Sequence, residues 1–192
     1  IRPRLHAVCT GHEDSARKAK EQMGFAKAVT DFRAITEDPD VDIVHICTPN
    51  KFHRDALLSA MACQKHIYCD KPLTATMADA EAVRRALPAY RGVHQMTLQC
   101  RFFPATLRAI ELADAGFLGD VLSFRAAYLH SGSVAPNAPP KWKLSKQRGG
   151  GGVILDLGTH VIDLVRQQVG EFDEVFCVNK VAYPDRPSAE DP

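Results

Sequence analysis

Short apolar runs alternate with amphipathic segments along the first half of the chain. Such runs predict β-strands, and apolar side chains that recur at helical spacing predict the helices between them. The predicted strands are residues 5–9, 26–29, 43–47, 66–69 and 93–98, and the predicted helices are residues 13–23, 31–37, 52–64 and 77–87. The near-continuous apolar run 43–47 is typical of a parallel strand covered on both faces. The repeated β-α-β order predicts an α/β fold with a doubly wound parallel sheet.

The pattern changes near residue 100, which predicts a first domain over residues 1–99 and a second over residues 100–192. The elements predicted for the second domain are helices at 104–115 and 153–169, strands at 121–130 and 172–181, and a long loop at 131–147. Partial alternation in the first of these strands is typical of a half-exposed sheet. This mixture of elements predicts an α+β second domain.

Composition excludes several classes of protein. The chain has 192 residues, a net charge of +1 and 45% hydrophobic residues, which is the profile of a soluble globular protein. The even charge argues against nucleic-acid binding, which needs a basic face. No apolar run approaches the roughly 18 residues of a membrane span. None of the six cysteines forms a CxxC pair, which predicts free thiols in the reducing cytoplasm and neither a zinc site nor a disulfide framework.

Two polar turns follow predicted strands at the edge where open α/β sheets bind ligands. Thr48-Pro49-Asn50 follows the third strand, with His53 shortly after, and Asp70-Lys71-Pro72 follows the fourth. The Lys71 ammonium is placed to hydrogen-bond a substrate hydroxyl. Taken alone, the first segment is better explained as an ordinary strand-to-helix turn. For the second segment, spacing alone leaves a surface lysine open as the alternative.

Glycines 149–152 precede a second group of polar residues. No Gly-Lys-Ser/Thr follows them, so they predict close backbone approach and not a Walker phosphate loop. Asp156, His160 and Asp163 share one face of the predicted helix, while the apolar residues cover the opposite, core-facing side. A carboxylate one turn from an imidazole is suited to orienting it for acid–base work. A solvated polar face is the alternative, and no third ligand supports a metal site.

Taken in order, four segments resemble the glucose–fructose oxidoreductase, inositol dehydrogenase and rhizopine-catabolism (Gfo/Idh/MocA) family. They are VDIVHICTPN at 41–50, HIYCDKPL at 66–73, Arg101-Phe102 before Pro104, and GGGVILDLGTHVID at 150–163. The resemblance implies an N-terminal Rossmann domain and a C-terminal α+β domain with a large, mostly antiparallel sheet. It implies hydride transfer between NAD or NADP and a hydroxyl of a sugar, polyol or cyclitol, in a homo-oligomer (a dimer or tetramer).

The resemblance also implies roles for individual residues. His160 matches the acid/base, Asp156 its acidic partner, and Lys71 the lysine that contacts substrate and nicotinamide. The implied cofactor-binding residues are Thr10, Thr48, Pro49, Asn50, His53, Asp70, Lys71 and Pro72, and the implied substrate-binding residues are Lys71, Arg101, Asp156 and His160. A cofactor-recycling glycosidase or lyase and a non-catalytic NAD(P)-binding regulator are the alternative functions. The catalytic residues favour an enzyme over a regulator, but they do not separate a dehydrogenase from the recycling reaction.

Several positions depart from the family pattern. Asp70 replaces the usual glutamate, and Cys100 stands where a tyrosine is common. Thr10 occupies the position of the ribose-binding acid, so His12 or Arg17 is available to a 2′-phosphate, and the choice between NAD and NADP stays open.

The chain contains no Gly-x-Gly-x-x-Gly. In the family this motif ends a central first strand, so we expect strands 5–9 and 43–47 to have no common neighbour. We also expect the natural protein to be longer at both ends, and the second domain to lack most of its sheet.

Overall fold

The computed structural model describes residues 2–137 and 141–186, and these form two compact units. The first unit runs to Thr97, and the second begins at Leu98. In the described parts of the chain, no helix is both long and apolar enough to cross a membrane.

The first unit contains four α-helices and five strands within the described residues. The helices are α1 (Glu13–Met23), α2 (Arg33–Thr36), α3 (His53–Ala62) and α4 (Met77–Ala86), and the strands are β1 (Ala7–Cys9), β2 (Lys27–Val29), β3 (Ile43–Ile46), β4 (His66–Cys69) and β5 (His94–Met96). Local signals set several boundaries as predicted. Gly24, at φ 81°, ends α1, and the Thr76 side chain accepts the Asp79 backbone N–H to open α4.

The strands form two parallel sheets that are not joined by hydrogen bonds within the described residues. β1 pairs with β2, and β3, β4 and β5 form a second sheet in that order. Val44 lies opposite Ile67, and Ile67 lies opposite His94. The expectation that strands 5–9 and 43–47 have no common neighbour is therefore confirmed for the chain as described.

The core of the first unit lies on one face of the three-stranded sheet. Buried apolar residues of β3 and β4 pack with α3 and α4, and Ala60 and Leu57 are among the least exposed. The opposite face is open, since Ile43 is 63% exposed and Tyr68 39%. The expectation that strand 43–47 is covered on both faces is wrong here, because every second side chain in β3 and β4 is exposed.

The second unit is helical in the residues that the structure describes. It contains α5 (Pro104–Asp114), α6 (Lys146–Gly149) and α7 (Thr159–Gln168). The predicted strands 121–130 and 172–181 are wrong, because neither segment pairs with a neighbouring backbone in the described part of this unit. A strand requires such a partner, and without one Leu122, Leu129 and Phe176 stay more than 90% exposed. The α+β character and the antiparallel sheet expected here are therefore not seen.

A polar contact near the start of the chain connects separate segments of the first unit. Asp38 Oδ2 lies 2.7 Å from Lys27 Nζ and 2.9 Å from His6 Nε2, and Asp38 Oδ1 accepts the Asp40 N–H at 3.0 Å. The Lys27 hydrogen bond is the largest cause that holds the pKa of Asp38 well below its usual range. The ionised carboxylate thus stabilises the contact of β2 with the segment before β3.

We expect Asp38→Asn to lower the melting temperature at neutral pH, because the amide removes the negative charge. A carboxyl whose pKa is lowered on folding stabilises the fold above its unfolded pKa of about 3.9 and loses that effect as the pH falls toward its folded value. The difference from wild type should therefore shrink below roughly pH 4. Thermal denaturation from pH 7 to pH 3 measures it, with Asp40→Asn as the control, and a difference that stays constant with pH contradicts the assignment.

Candidate functional site

The turn after β3 combines an exposed hydroxyl with a buried amide. Thr48 is exposed, whereas Asn50 is 5% exposed and begins a short 3-10 helix, Asn50–Phe52, that leads into α3. His53 follows and is fully buried. Its Nε2 lies 2.8 Å from the Thr48 carbonyl oxygen and its Nδ1 2.9 Å from that of Pro72. The His53 ring therefore bonds to backbone at both nitrogens.

The turn after β4 is held by its own carboxylate. Asp70 Oδ1 accepts the backbone N–H of Lys71 at 2.8 Å and the Thr97 hydroxyl at 2.7 Å. The Lys71–Pro72 peptide bond is cis, and the Lys71 side chain is half-buried. One oxygen of Asp70 thus holds the backbone that carries Lys71.

Thr10 follows β1, where α1 begins. Its hydroxyl lies 2.5 Å from that of Ser15, and both hydroxyls reach the carbonyl oxygen of His12. Arg17 Nη2 lies 2.8 Å from Asp14 Oδ1 on the exposed face of α1. Arg17, one of the two residues considered above for binding a 2′-phosphate, is therefore paired with the carboxylate of Asp14.

The helix predicted over residues 153–169 contains a wider π-helical segment, Ile154–Gly158, before α7. Asp156 lies in this segment, and its Oδ1 accepts from Lys143 Nζ at 2.8 Å. Lys143 belongs to a 3-10 helix, Trp142–Leu144, within the predicted loop. One shared polar face for Asp156, His160 and Asp163 was predicted from strict α-helical spacing. The π-helical segment has a wider turn, so that spacing does not hold between Asp156 and His160.

The polar side of α7 faces inward. His160 is 3% exposed and Asp163 5%, whereas Val153, Ile154 and Ile162 are between 41% and 60% exposed. Val153 and Ile154 were expected on the apolar, core-facing side opposite the polar residues, and that expectation is therefore wrong for these two positions. The Tyr128 ring lies edge-on to His160 at 6.4 Å.

A bidentate ion pair explains the burial of Asp163. Arg101 Nε donates to Asp163 Oδ2 at 2.7 Å, and Arg101 Nη2 donates to Asp163 Oδ1. The pair joins α7 to a 3-10 helix, Gln99–Phe102, and the hydrogen bonds that Arg101 donates to Asp163 raise the pKa of Arg101. The guanidinium predicted to bind substrate is thus engaged with a carboxylate of its own unit.

The glycine run permits the close approach that the sequence predicts. A Cβ on Gly149 would lie 2.6 Å from the Lys143 carbonyl oxygen, and Gly150 and Gly152 have positive φ. The run therefore packs against the backbone of the segment that carries Lys143.

One cluster in the first unit has the composition of a cation site. His6, Asp38 and Asp40 offer ligand atoms within 4.8 Å of one another. Because Lys27 already supplies a positive charge to Asp38, the ion pair accounts for this arrangement without a metal.

Sequence reasoning missed three partners in these sites: Thr97, Lys143 and Asp163 as the partner of Arg101. Each makes its contact with a residue at least 13 positions away in the chain. Of these three residues, only Asp163 carried a signal in the sequence, because it is a carboxylate one helical turn after His160.

We expect Arg101→Met to destabilise the protein by about 3 kcal/mol, because it leaves the Asp163 carboxylate buried without its partner. This is the lower end of the usual range, since the Arg101 side chain is 37% exposed. Arg101→Met with Asp163→Leu should recover much of the loss. Chemical denaturation measures both, with Arg108→Met, which breaks an exposed pair with Glu111, as a control near zero. Equal effects of Arg101→Met and the control contradict a structural role for the pair.

Two family models match consecutive parts of the chain. A model described as an oxidoreductase family with an NAD-binding Rossmann fold matches residues 2–96, and the GFO/IDH/MocA C-terminal domain matches residues 106–192. The Rossmann-type α/β fold of the first unit is thereby confirmed.

Similar proteins are sugar and cyclitol dehydrogenases by name. Levoglucosan dehydrogenase of Pseudarthrobacter phenanthrenivorans is 36% identical over 96% of this chain and 47% of its own length. Myo-inositol 2-dehydrogenase of Thermotoga maritima is 29% identical over 92% of this chain and 51% of its own. A solved levoglucosan dehydrogenase complex with NADH and levoglucosan matches with a TM-score of 0.92 and 36% identity, over 96% of this chain and 50% of that one.

The chain thus spans about half the length of the curated relatives it matches. The four motifs, the parallel sheet with polar turns at its carboxyl edge and the two family models agree along nearly the whole chain. The chain belongs to the Gfo/Idh/MocA family of oxidoreductases.

Proposed function

We propose that this chain is part of an NAD(P)-dependent dehydrogenase that acts on a hydroxyl group of a sugar, polyol or cyclitol. The observation that carries the proposal is the carboxyl edge of the three-stranded sheet, where Thr48 and Lys71 lie on turns at the ends of adjacent strands. The identity to levoglucosan dehydrogenase supports the substrate class. Balanced charge favours an uncharged substrate, because no strongly basic or acidic composition is present to attract an ion.

The residues of the first unit fit a nicotinamide dinucleotide. Parallel strands bind such ligands at their carboxyl ends, and Thr48, Pro49 and Lys71 are all at least partly accessible there. We assign Thr10, Thr48, Pro49, Asn50, Lys71 and Pro72 to the cofactor side. A nicotinamide held by these residues would supply the hydride-transfer chemistry, while the protein positions it.

His160 is proposed to remove the hydroxyl proton, since alcohol oxidation releases a proton and a hydride from the two atoms of one C–O bond. Asp156 and Lys71 are each proposed to bind hydroxyl groups of the substrate. The Lys143 ammonium donates a hydrogen bond to Asp156 Oδ1 at 2.8 Å, which holds this carboxylate in place. Arg101 keeps its proposed substrate-side role only through the part of its guanidinium that Asp163 leaves exposed.

The names of the relatives favour a dehydrogenase over the two alternatives, a cofactor-recycling glycosidase or lyase and a regulator. Product analysis separates the first alternative, because a recycling enzyme accumulates no reduced cofactor. A regulator binds NAD(P) and yields no product at all.

We expect Lys71→Met and His160→Asn to abolish reduction of NAD(P) by a panel of sugars and polyols, with cofactor binding retained. General acid–base catalysis contributes about 10²–10⁴-fold, so His160→Asn should lower kcat by at least about 100-fold. Absorbance of the reduced nicotinamide measures turnover, and Lys180→Met, at an exposed position, is the control. Turnover of either catalytic variant at the wild-type rate contradicts the assignment.

The start of α1 supports NAD as the preferred cofactor. Glu13 and Asp14 lie in its first turn, just after Thr10, and Arg17 is paired with Asp14. A 2′-phosphate near Thr10 would meet two carboxylates, whereas a ribose hydroxyl can donate to one.

We therefore expect wild type to have the higher kcat/KM with NAD. Glu13→Lys combined with Asp14→Lys should raise the ratio of NADP to NAD efficiency by about tenfold or more, because it replaces repulsion with attraction. Initial rates with both cofactors measure the ratio, and Glu21→Lys, near the other end of α1, is the matched control. A wild type that prefers NADP contradicts this assignment and leaves the dehydrogenase proposal intact.

A cytoplasmic location is proposed from the thiols, since all six cysteines are free in the structure. A dimer or tetramer is proposed from the large apolar side chains exposed on the second unit, among them Leu122 and Phe176. Neither nucleic acid nor a membrane is proposed as a partner.

A further inference from the structure

One fully buried histidine joins the two turns at the carboxyl edge of the sheet. His53 Nε2 lies 2.8 Å from the carbonyl oxygen of Thr48, and its Nδ1 lies 2.9 Å from that of Pro72. Thr48 belongs to the turn after β3 and Pro72 to the turn after β4. His53 itself begins α3, whose Ala56, Leu57 and Ala60 are fixed in the core. The ring is therefore anchored at its base by packing and at its edge by two carbonyls.

We propose that His53 is a positioning residue that donates a hydrogen bond from each ring nitrogen and thereby fixes the turn of Thr48 relative to the turn of Lys71. The inference rests on the proposed function, because those two turns carry the residues assigned to the cofactor and to the substrate hydroxyl. It also changes the role expected for His53 from the family resemblance. A side chain with no exposed surface and both nitrogens engaged acts on the cofactor through the backbone it holds.

Hydrogen-bond chemistry defines the state of the ring. A backbone carbonyl oxygen can only accept, so a ring that bonds two carbonyls carries a proton on both nitrogens. Cys69 Sγ, 3.7 Å from Nδ1, is the closest other polar group that the structure records for the ring. Burial, followed by the charge of Asp70 and the neighbouring Cys47, raises the pKa of Cys69 to about 12, so this thiol is neutral.

The two bonds have different consequences for the site. The Thr48 carbonyl lies one peptide bond before Pro49, which has no N–H, so its turn has fewer backbone hydrogen bonds available to it. The Pro72 carbonyl directly follows the Lys71–Pro72 peptide. Loss of the ring would therefore release one turn on the cofactor side and the turn that directs Lys71. A side chain that can make only one of the bonds should release one turn and retain the other.

His53→Gln tests the role, because its amide nitrogen donates and its amide oxygen does not. Displacement of reacting groups by about 1 Å costs on the order of 10²-fold in rate. We therefore expect His53→Gln, assayed well below its melting temperature, to bind NAD more weakly and to lower kcat/KM by about 100-fold. His94→Gln, at an exposed position on β5, is the matched control. A folded His53→Gln with the NAD affinity and kcat/KM of the control overturns the proposal.

A second measurement does not require activity or the variant. Nitrogen-15 spectra of the histidine rings of wild type, assigned by the loss of signals in His53→Gln or His53→Asn, should show protons on both His53 nitrogens at the assay pH. A single ring proton overturns double donation even where the variants fail to fold in quantity, since assignment then proceeds by backbone correlation. Failure of the wild type to bind either NAD or NADP contradicts the proposed function. The ring spectrum still tests, independently of that result, whether His53 donates to the carbonyl oxygens of both turns.

Discussion

The placement of the polar turns depends on the backbone pairing of three parallel strands. Ile46 lies opposite Cys69, and Cys69 lies opposite Met96, so all three strands end at one level. The pairing continues past the strands: Asp70 N donates to the Ile46 carbonyl at 2.7 Å, and Thr97 N donates to the Cys69 carbonyl at 2.8 Å. A slip of one residue would turn every side chain of the strand to the other face, so burial of Val44 and Ile67 also fixes the height of the turns. The chemistry proposed for Thr48 and Lys71 requires this shared level.

The second unit differs from the first because it buries polar side chains on one helix, α7. His160 and Asp163 both face inward on α7, and a buried carboxylate needs a partner to remain ionised. Arg101 supplies that partner from 62 residues earlier in the chain. The ion pair thereby fixes the rotation of α7, and with it the direction of His160, which lies one turn earlier. The apolar residues on the other side of the helix are left partly exposed in consequence.

Local signals in the sequence predicted most of the first unit. Gly24 and Thr76 mark helix ends that the structure reproduces, and strand 66–69 matches β4 at both ends. Predictions failed where they depended on a partner. Residues 121–130 and 172–181 have strand-like composition, but composition does not supply a neighbouring backbone. The same reason explains the missed contacts of Lys143 with Asp156 and of Thr97 with Asp70, since no local pattern pairs residues that lie far apart in the chain.

The candidate site residues divide into those that reach outward and those that hold the backbone. Thr48 and Lys71 have accessible side chains, whereas His53 and Asp70 bond to the turns that carry them. A sequence motif contains both kinds without distinguishing them, because each is polar and each lies near a strand end. Burial and the identity of the hydrogen-bond acceptor make the distinction. Because a holding residue acts on chemistry only through geometry, its loss should alter cofactor binding and turnover together.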